Sequence, residues 1–599
     1  MTATALRPSA TSSVRAGDPA AMRVLREFLA GASFTEDSVS RRTGVESIYA
    51  FTSIREGRAS SDAGDALDIL IRLFLDGELV ERAHIQQHLP GTAVRALESL
   101  GLLSGPPSDA SKQFATVLLY PTNGLWLISD LPVTAAGAPK PLPPDAVYPA
   151  ITENTRDFIS SLPRTPGERF LEMCGGTGIA ALMAARHGGT TWTGDVTERA
   201  TRYARFNAEL NGLGNVRAVQ GDMYEPVRGL TFDRIVAHPP YIASPEQTMI
   251  YRDGGPDGEQ FTRALLAGLP EFLEPGGRFY MTCVATDRTE GPFEQRIRRM
   301  IGPSNDEFDV VLAVRVARDP ADYFRAVARA GQSSQDDADA KIAAYQAMGA
   351  EKLVYASMAI ERHASPRTPF TARRSCGTAQ LGESLDWELD WVRNRESPGF
   401  AARLLDSRVR CRDGVRIRSD QRLADGGWRI ERVELSVEAP FRTNVECSAE
   451  TGAILTRCTE SIGVRELARA LVADGLVGVD GAEEAIVSLV SFFCERRLPR
   501  NGAAAPAGGG RVNAVACRAN SGECVAAYKQ IAPYDTSCAA KMCFLDTRPI
   551  GPYDRRVGLQ SVMGVAKSAA RTSPLAPGLP SAVIGLHSSV PAFFNSLDF

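Results

Sequence analysis

Between residues 150 and 365 the sequence predicts an α/β fold, a mostly parallel sheet covered by helices on both faces, and three observations predict it. Strand-length apolar runs, FLEMC, TWTGDV, VRAVQGD and DRIVA, alternate with segments of helical periodicity. A glycine turn, CGGTG at residues 174–178, joins the first run to the helix IAALMAARHGG. An acidic residue closes each of the first three runs: Glu172, Asp195 and Asp222. In such sheets ligands sit at the carboxyl ends of the strands, where the turn and all three acids fall.

The flanking segments follow in order. Residues 1–19 are rich in Ser, Thr and Ala, lack an apolar core behind their basic residues, and read as disordered rather than as a secretory signal. Residues 20–112 read as a helical, winged-helix-like domain. MRVLREFLAG, FTEDSVSRRTG, GDALDILIRLFLDGEL and VRALESLGLL carry apolar residues three and four apart. Such a module binds nucleic acid or caps a neighbour, and the absence of clustered Lys and Arg favours capping. Residues 113–149 are a hairpin, two β-rich runs split by PTNG, followed by the Pro-rich linker APKPLPPDAVYPAI.

Residues 370–500 read as a mixed α+β domain for packing or dimerisation. Residues 501–599 read as a flexible linker and a poorly ordered tail. Cys517, Cys524, Cys538 and Cys543 lie in that tail with six, thirteen and four residues between them, which do not make two paired zinc knuckles, and no histidine lies close in sequence, so no metal site is expected.

Composition bounds the function. The 599 residues, 44% hydrophobic and 23% charged with a net charge of −4, carry no general basic field for nucleic acid. No apolar run reaches the ~18 residues of a membrane span. Eleven cysteines, an odd number, argue against a fully paired disulfide framework, and a cytoplasmic protein with no membrane partner is expected.

The glycine turn decides between ligands. A dinucleotide site needs G-x-G-x-x-G, whereas the glycines here fall at Gly175, Gly176 and Gly178, so hydride transfer is disfavoured. Asp195 is placed to accept ribose hydroxyls and Asp222 to reach an adenine amino group. Glu172 is placed to hold an ammonium or to anchor the loop.

LEMCGGTGIAAL, GDVTERA, GDMYEPV and AHPPY resemble, in order and spacing, the motifs of class I S-adenosylmethionine-dependent methyltransferases. The likeness is strongest to the release-factor glutamine and small-domain ribosomal branch. YRDGGPDGEQF and LEPGGRFYM are similar to segments found there. The whole arrangement of N-terminal helical domain, hairpin ending in SDL, methyltransferase domain and RDPADYFRA resembles an actinobacterial-type group of methyltransferases, over roughly residues 20–365.

The resemblance implies a Rossmann-like domain over residues 150–365 with S-adenosyl-L-methionine as cofactor. Glu172, Cys174, Gly176, Gly178, Asp195, Asp222 and His238 would bind it. Cys174 stands where the family usually has Gly. His238 and Tyr241 would be catalytic, and Pro239, Tyr241, Tyr251 and Arg252 would contact the acceptor.

Position 238 is the departure. Family members that methylate a planar nitrogen place Asn or Asp there, and a histidine can accept one hydrogen bond or act as a base but cannot copy an amide. The expected function is therefore methyl transfer to a nitrogen or oxygen nucleophile, on a metabolite or peptide in a tailoring pathway. Transfer to a protein glutamine or an RNA base is the alternative. A nucleic-acid-binding regulator that retains the cofactor fold is the rival of another class. The expected partners are a small-molecule, peptide or protein acceptor.

Overall fold

The computed structural model describes residues 14–50, 64–132, 142–165, 167–244, 248–331, 333–377, 380–495 and 499–502. The expectations for residues 1–13 and for the four tail cysteines lie outside the described residues. The seven cysteines within them are all free thiols.

An eight-stranded sheet forms the centre. Its strands are β1 (Arg169–Met173), β2 (Thr190–Asp195), β3 (Val216–Gln220), β4 (Phe232–Ala237), β5 (Leu273–Arg288), β6 (Phe308–Arg318), β7 (Ala350–Arg362) and β8 (Thr371–Ser375). They lie in the order β8-β6-β7-β5-β4-β1-β2-β3. All pairings are parallel except those of β7 with β5 and β6. The chain winds outward from β1 to β3 and then returns to lay β4 against the other side of β1. That reversal opens a crevice at the carboxyl ends of β1 and β4.

The covering helices are α1 (Glu153–Ser161), α2 (Ile179–Ala185), α3 (Glu198–Leu210), α4 (Gln260–Phe272), α5 (Phe293–Ile301), α6 (Pro320–Arg329), α7 (Gln335–Ala347) and α8 (Gly382–Arg395). Their positions follow the sequence. Thr197 caps α3 by accepting from Ala200 N, and Asp319 caps α6 by accepting from Ala321 and Asp322 N. Helices α6 and α7 form a pair inserted between β6 and β7. Tyr323, Phe324, Val327, Ile342 and Tyr345 make its core, with Ala243 from the loop after β4 packed against it.

The N-terminal helices, Pro19–Gly31, Glu36–Thr43, Arg82–His88 and Gly91–Ser99 among them, are joined by a three-stranded antiparallel sheet that periodicity does not reveal. Two of its strands, Val80–Glu81 and Leu103–Ser104, are too short to show alternation. The hairpin pairs Leu118–Thr122 with Leu125–Ser129 through Asn123 and Gly124, both in the left-handed region, as a two-residue Asn-Gly turn requires. Its buried Leu119, Tyr120 and Leu127 share one core with Ile179 and Leu182 of α2 and Tyr203 and Phe206 of α3. Asn207 of α3 fixes the contact: Oδ1 accepts from Ile128 N at 2.8 Å and Nδ2 donates to Thr177 O at 3.0 Å. The N-terminal unit thereby braces the glycine turn itself.

The sheet continues past the expected boundary at 365, because β8 pairs in parallel with β6 and α8 packs its Leu385 and Leu389 against Val311 and Tyr280. The sequence TARRS hides this edge strand, since its arginines read as surface. In the fold Arg373 pairs with Asp287 at 2.8 Å and Arg374 reaches Glu388 at 3.2 Å. Beyond Phe400 the mixed α+β unit has a core of its own, centred on Leu435, Val464, Leu471 and Phe493.

Candidate active site

The turn after β1 is built by close packing. A Cβ on Gly175 would lie 2.0 Å from Thr193 Oγ1, so only glycine lets β1 and β2 approach here. Gly176 (φ +54°) and Gly178 (φ +79°) occupy the left-handed region, and a Cβ on Gly176 would meet open space within 4 Å. Gly175 is therefore fixed by the protein's own packing, whereas Gly176 faces the crevice. Cys174 shares the left-handed backbone at φ +56°. Burial and the nearby carboxylates of Asp195, Asp222 and Glu172 push its thiol well above the usual range, so it stays protonated.

Glu172 is 2% exposed, and its two carboxylate oxygens accept from the backbone N–H of Ala180 (3.1 Å) and Ala181 (3.0 Å) in the first turn of α2. Of the two expected roles, ammonium holder and loop anchor, these bonds build the anchor. Burial raises its carboxyl to about 7 against the pull of those bonds.

Asp195 ends β2. Its Oδ2 accepts from Gly176 N at 3.1 Å, and its Oδ1 accepts from Thr197 N at 2.9 Å and Thr197 Oγ1 at 3.1 Å. A carboxylate has about four acceptor directions, so roughly one remains for a ligand. Asp222 is exposed beyond β3. Val196, next to Asp195, is 50% exposed, an apolar surface at the mouth that the sequence reading missed. Its only signal is a valine directly after the strand-terminal aspartate.

The second half of the site follows β4. His238 stacks on Phe158 of α1, with centroids 5.1 Å apart at 21°, and lies 5.8 Å from the ring of Tyr241. Its Nε2 is buried and has no hydrogen-bond partner. Burial lowers the imidazole to about 4, so it is neutral at pH 7. Phe158 gave no sequence signal beyond lying on the helical face before the turn.

Pro239 is buried and Tyr241 is 8% exposed. The segment after them is tied back: Ile242 N donates to Arg252 O (3.0 Å) and Gly254 N to Ile242 O (2.7 Å). Arg252 is engaged by Asp253 at 2.8 Å, and Tyr251 stacks on Tyr148 at 4.9 Å. Tyr148 belongs to the segment leading into α1. The structure thus gathers Glu172, Cys174, Gly176, Gly178, Asp195 and Asp222 on one side of the crevice and His238, Pro239 and Tyr241 on the other. Tyr251 and Arg252 lie on the loop tied back to Ile242, with Tyr251 stacked on Tyr148.

Residues 149–302 match the family model described as the methyltransferase small domain. A protein of Methanocaldococcus jannaschii, provisionally named a protein N5-glutamine methyltransferase, is 30% identical over 141 residues, 22% of this chain and 71% of that protein. The chain belongs to the class I S-adenosylmethionine-dependent methyltransferases. The release factor glutamine methyltransferase of Moorella thermoacetica is 32% identical over 148 residues, 22% of this chain and 51% of that protein. The chain thus spans about half the length of that curated relative. Among solved structures, a methyltransferase from Pyrococcus furiosus aligns over 36% of this chain and 84% of that chain at 22% identity and a TM-score of 0.23. The cofactor of this methyltransferase family is S-adenosylmethionine. Among the described residues no group of His, Cys, Asp or Glu could hold a metal ion, and no helix is long and apolar enough to cross a membrane.

Proposed function

We propose that the protein transfers a methyl group from S-adenosylmethionine to a nitrogen or oxygen nucleophile held between His238 and Tyr241. The observation that carries this reading is the pairing, across one crevice, of a cofactor-type glycine turn with an unpartnered neutral imidazole. The cradle fits the cofactor. Gly176 opens a space that any side chain would fill, Asp195 keeps an acceptor direction for a ribose hydroxyl, and Val196 offers an apolar face to a flat base with Asp222 beyond it. When bound, S-adenosylmethionine supplies an electrophilic methyl on a sulfonium.

The chain's residues do the rest. Glu172 holds the turn against α2, and Pro239 and Pro240 restrict the backbone that aims the next residues. Tyr241 provides an aromatic wall against which a flat acceptor can lie, which aligns the nucleophile and excludes water. Nε2 of His238, neutral at pH 7 and without a partner in the fold, accepts a hydrogen bond from the N–H or O–H of the nucleophile and orients its lone pair toward the methyl.

The relatives named for glutamine methylation favour a second reading, transfer to a protein glutamine, and the PPY loop is shared with it. Against that reading stands His238, an imidazole at the position where family members that methylate a planar nitrogen carry an amide or a carboxylate. Incubation with deuteromethyl-labelled cofactor and a panel of amide, amine and hydroxyl acceptors, read by mass spectrometry, tests the proposal. Labelled product that falls at least tenfold in His238→Asn with cofactor affinity unchanged supports it. Full activity in His238→Asn on a glutamine acceptor contradicts it.

A further inference from the structure

A second space adjoins the crevice. Tyr241 is shared: its ring lies 5.8 Å from that of His238, and it also lines a pocket with Val284, Val316, Arg318, Phe324 and Tyr345. That cavity lies at the carboxyl ends of β5 and β6, on the same sheet edge as the glycine turn, and is roofed by α6 and α7. Its walls are aromatic: Tyr323 and Phe324 meet edge to face at 5.1 Å, and Phe324 lies 5.4 Å from Tyr345. An aromatic lining of this kind suits a flat apolar group.

Its charge is specific. Arg318 and Lys341 are the charged residues of the lining. Lys341 is paired with Asp337 at 2.7 Å, while Arg318 has no ion pair among the described residues. The acids nearest Tyr345, Asp257 and Glu259, are already held by Arg263, Arg288 and Arg296. Arg318 is thus an uncompensated guanidinium at the wall of an aromatic cavity, a setting that recognises a carboxylate and disfavours a cationic guest.

We propose that this cavity seats the methyl acceptor, and that the acceptor is a flat aromatic carboxylate. Its ring lies among Tyr241, Phe324 and Tyr345, its carboxylate is held by Arg318, and its nucleophile is presented past Tyr241 to His238. The inference rests on the methyltransferase reading and names its substrate class.

Calorimetry on the full chain tests it with 3-hydroxy-2-naphthoate, the matched 3-hydroxy-2-naphthamide and N-acetylglutamine methylamide as probes, alongside S-adenosylmethionine. The naphthoate is expected to bind about tenfold or more tightly than the naphthamide. Arg318→Gln is expected to erase that preference while leaving cofactor affinity unchanged, and Arg318→Lys to restore part of it. Equal binding of acid and amide, or binding of neither, by protein that still binds S-adenosylmethionine overturns the carboxylate proposal alone. Methylation of the glutamine probe without naphthoate binding also overturns it. Failure of S-adenosylmethionine itself to bind overturns the methyltransferase reading and the acceptor role together.

Discussion

His238 should titrate near pH 4, well below an ordinary histidine, and this is the sharpest consequence of the acceptor side of the site. The ring is stacked on Phe158, faces Tyr241, and has no carboxylate partner to stabilise its charged form. The fall from 6.5 to about 4, at about 1.4 kcal/mol per unit, is a penalty on the imidazolium of about 3 kcal/mol. The unfolded chain takes up the proton near 6.5 and the folded chain only near 4, so this group's stability contribution is complete above 6.5 and is lost as pH falls through about 4. With six histidines in the chain, ¹³Cε1-histidine labelling and subtraction of the His238→Asn spectrum isolates the signal. A titration at or above 6.5 would refute the desolvated, neutral imidazole. The matching kinetic signature is a kcat/KM profile without an acid limb near 6.5.

The remaining predictions concern the turn. Glu172→Ala leaves the N–H groups of Ala180 and Ala181 without acceptors in a buried setting, and should lower stability by about 1–3 kcal/mol per orphaned group, read by thermal unfolding. Gly175→Ala drives a Cβ to 2.0 Å from Thr193 Oγ1; it should cost about 1–3 kcal/mol and weaken cofactor binding as β1 and β2 separate, whereas wild-type stability would mean that the turn is looser than described. Asn207→Leu removes the bonds to Ile128 and Thr177, and should speed limited proteolysis of the hairpin and loosen cofactor binding together, because one side chain serves both.

Much of this site was legible because it depends on local geometry. The glycine spacing, the strand-terminal Asp195 and Asp222, and the PPY loop each need a fixed residue at a fixed distance along the chain, and such constraints survive in a linear reading. Glu172 could be placed but not assigned, since choosing between anchor and ammonium holder required knowing that α2 folds back onto it. Phe158, Val196 and the Arg318 cavity were invisible for a related reason: each becomes functional only through contacts between segments remote in sequence. The motif RDPADYFRA contains Arg318, Tyr323 and Phe324, yet nothing in its spacing says that they face Tyr241. The edge strand β8 was missed because its arginines find their partners on β5, α5 and α8 rather than in water.

The central claim is that the glycine turn and Asp195 hold S-adenosylmethionine. Titration calorimetry of the full chain and of Asp195→Ala measures it most directly. The account predicts one binding event for the wild-type protein and a loss of about tenfold or more in the variant, in line with a charge-assisted hydrogen bond of about 1.5–3 kcal/mol. No binding by the wild-type protein, or equal affinity in the variant, would contradict it.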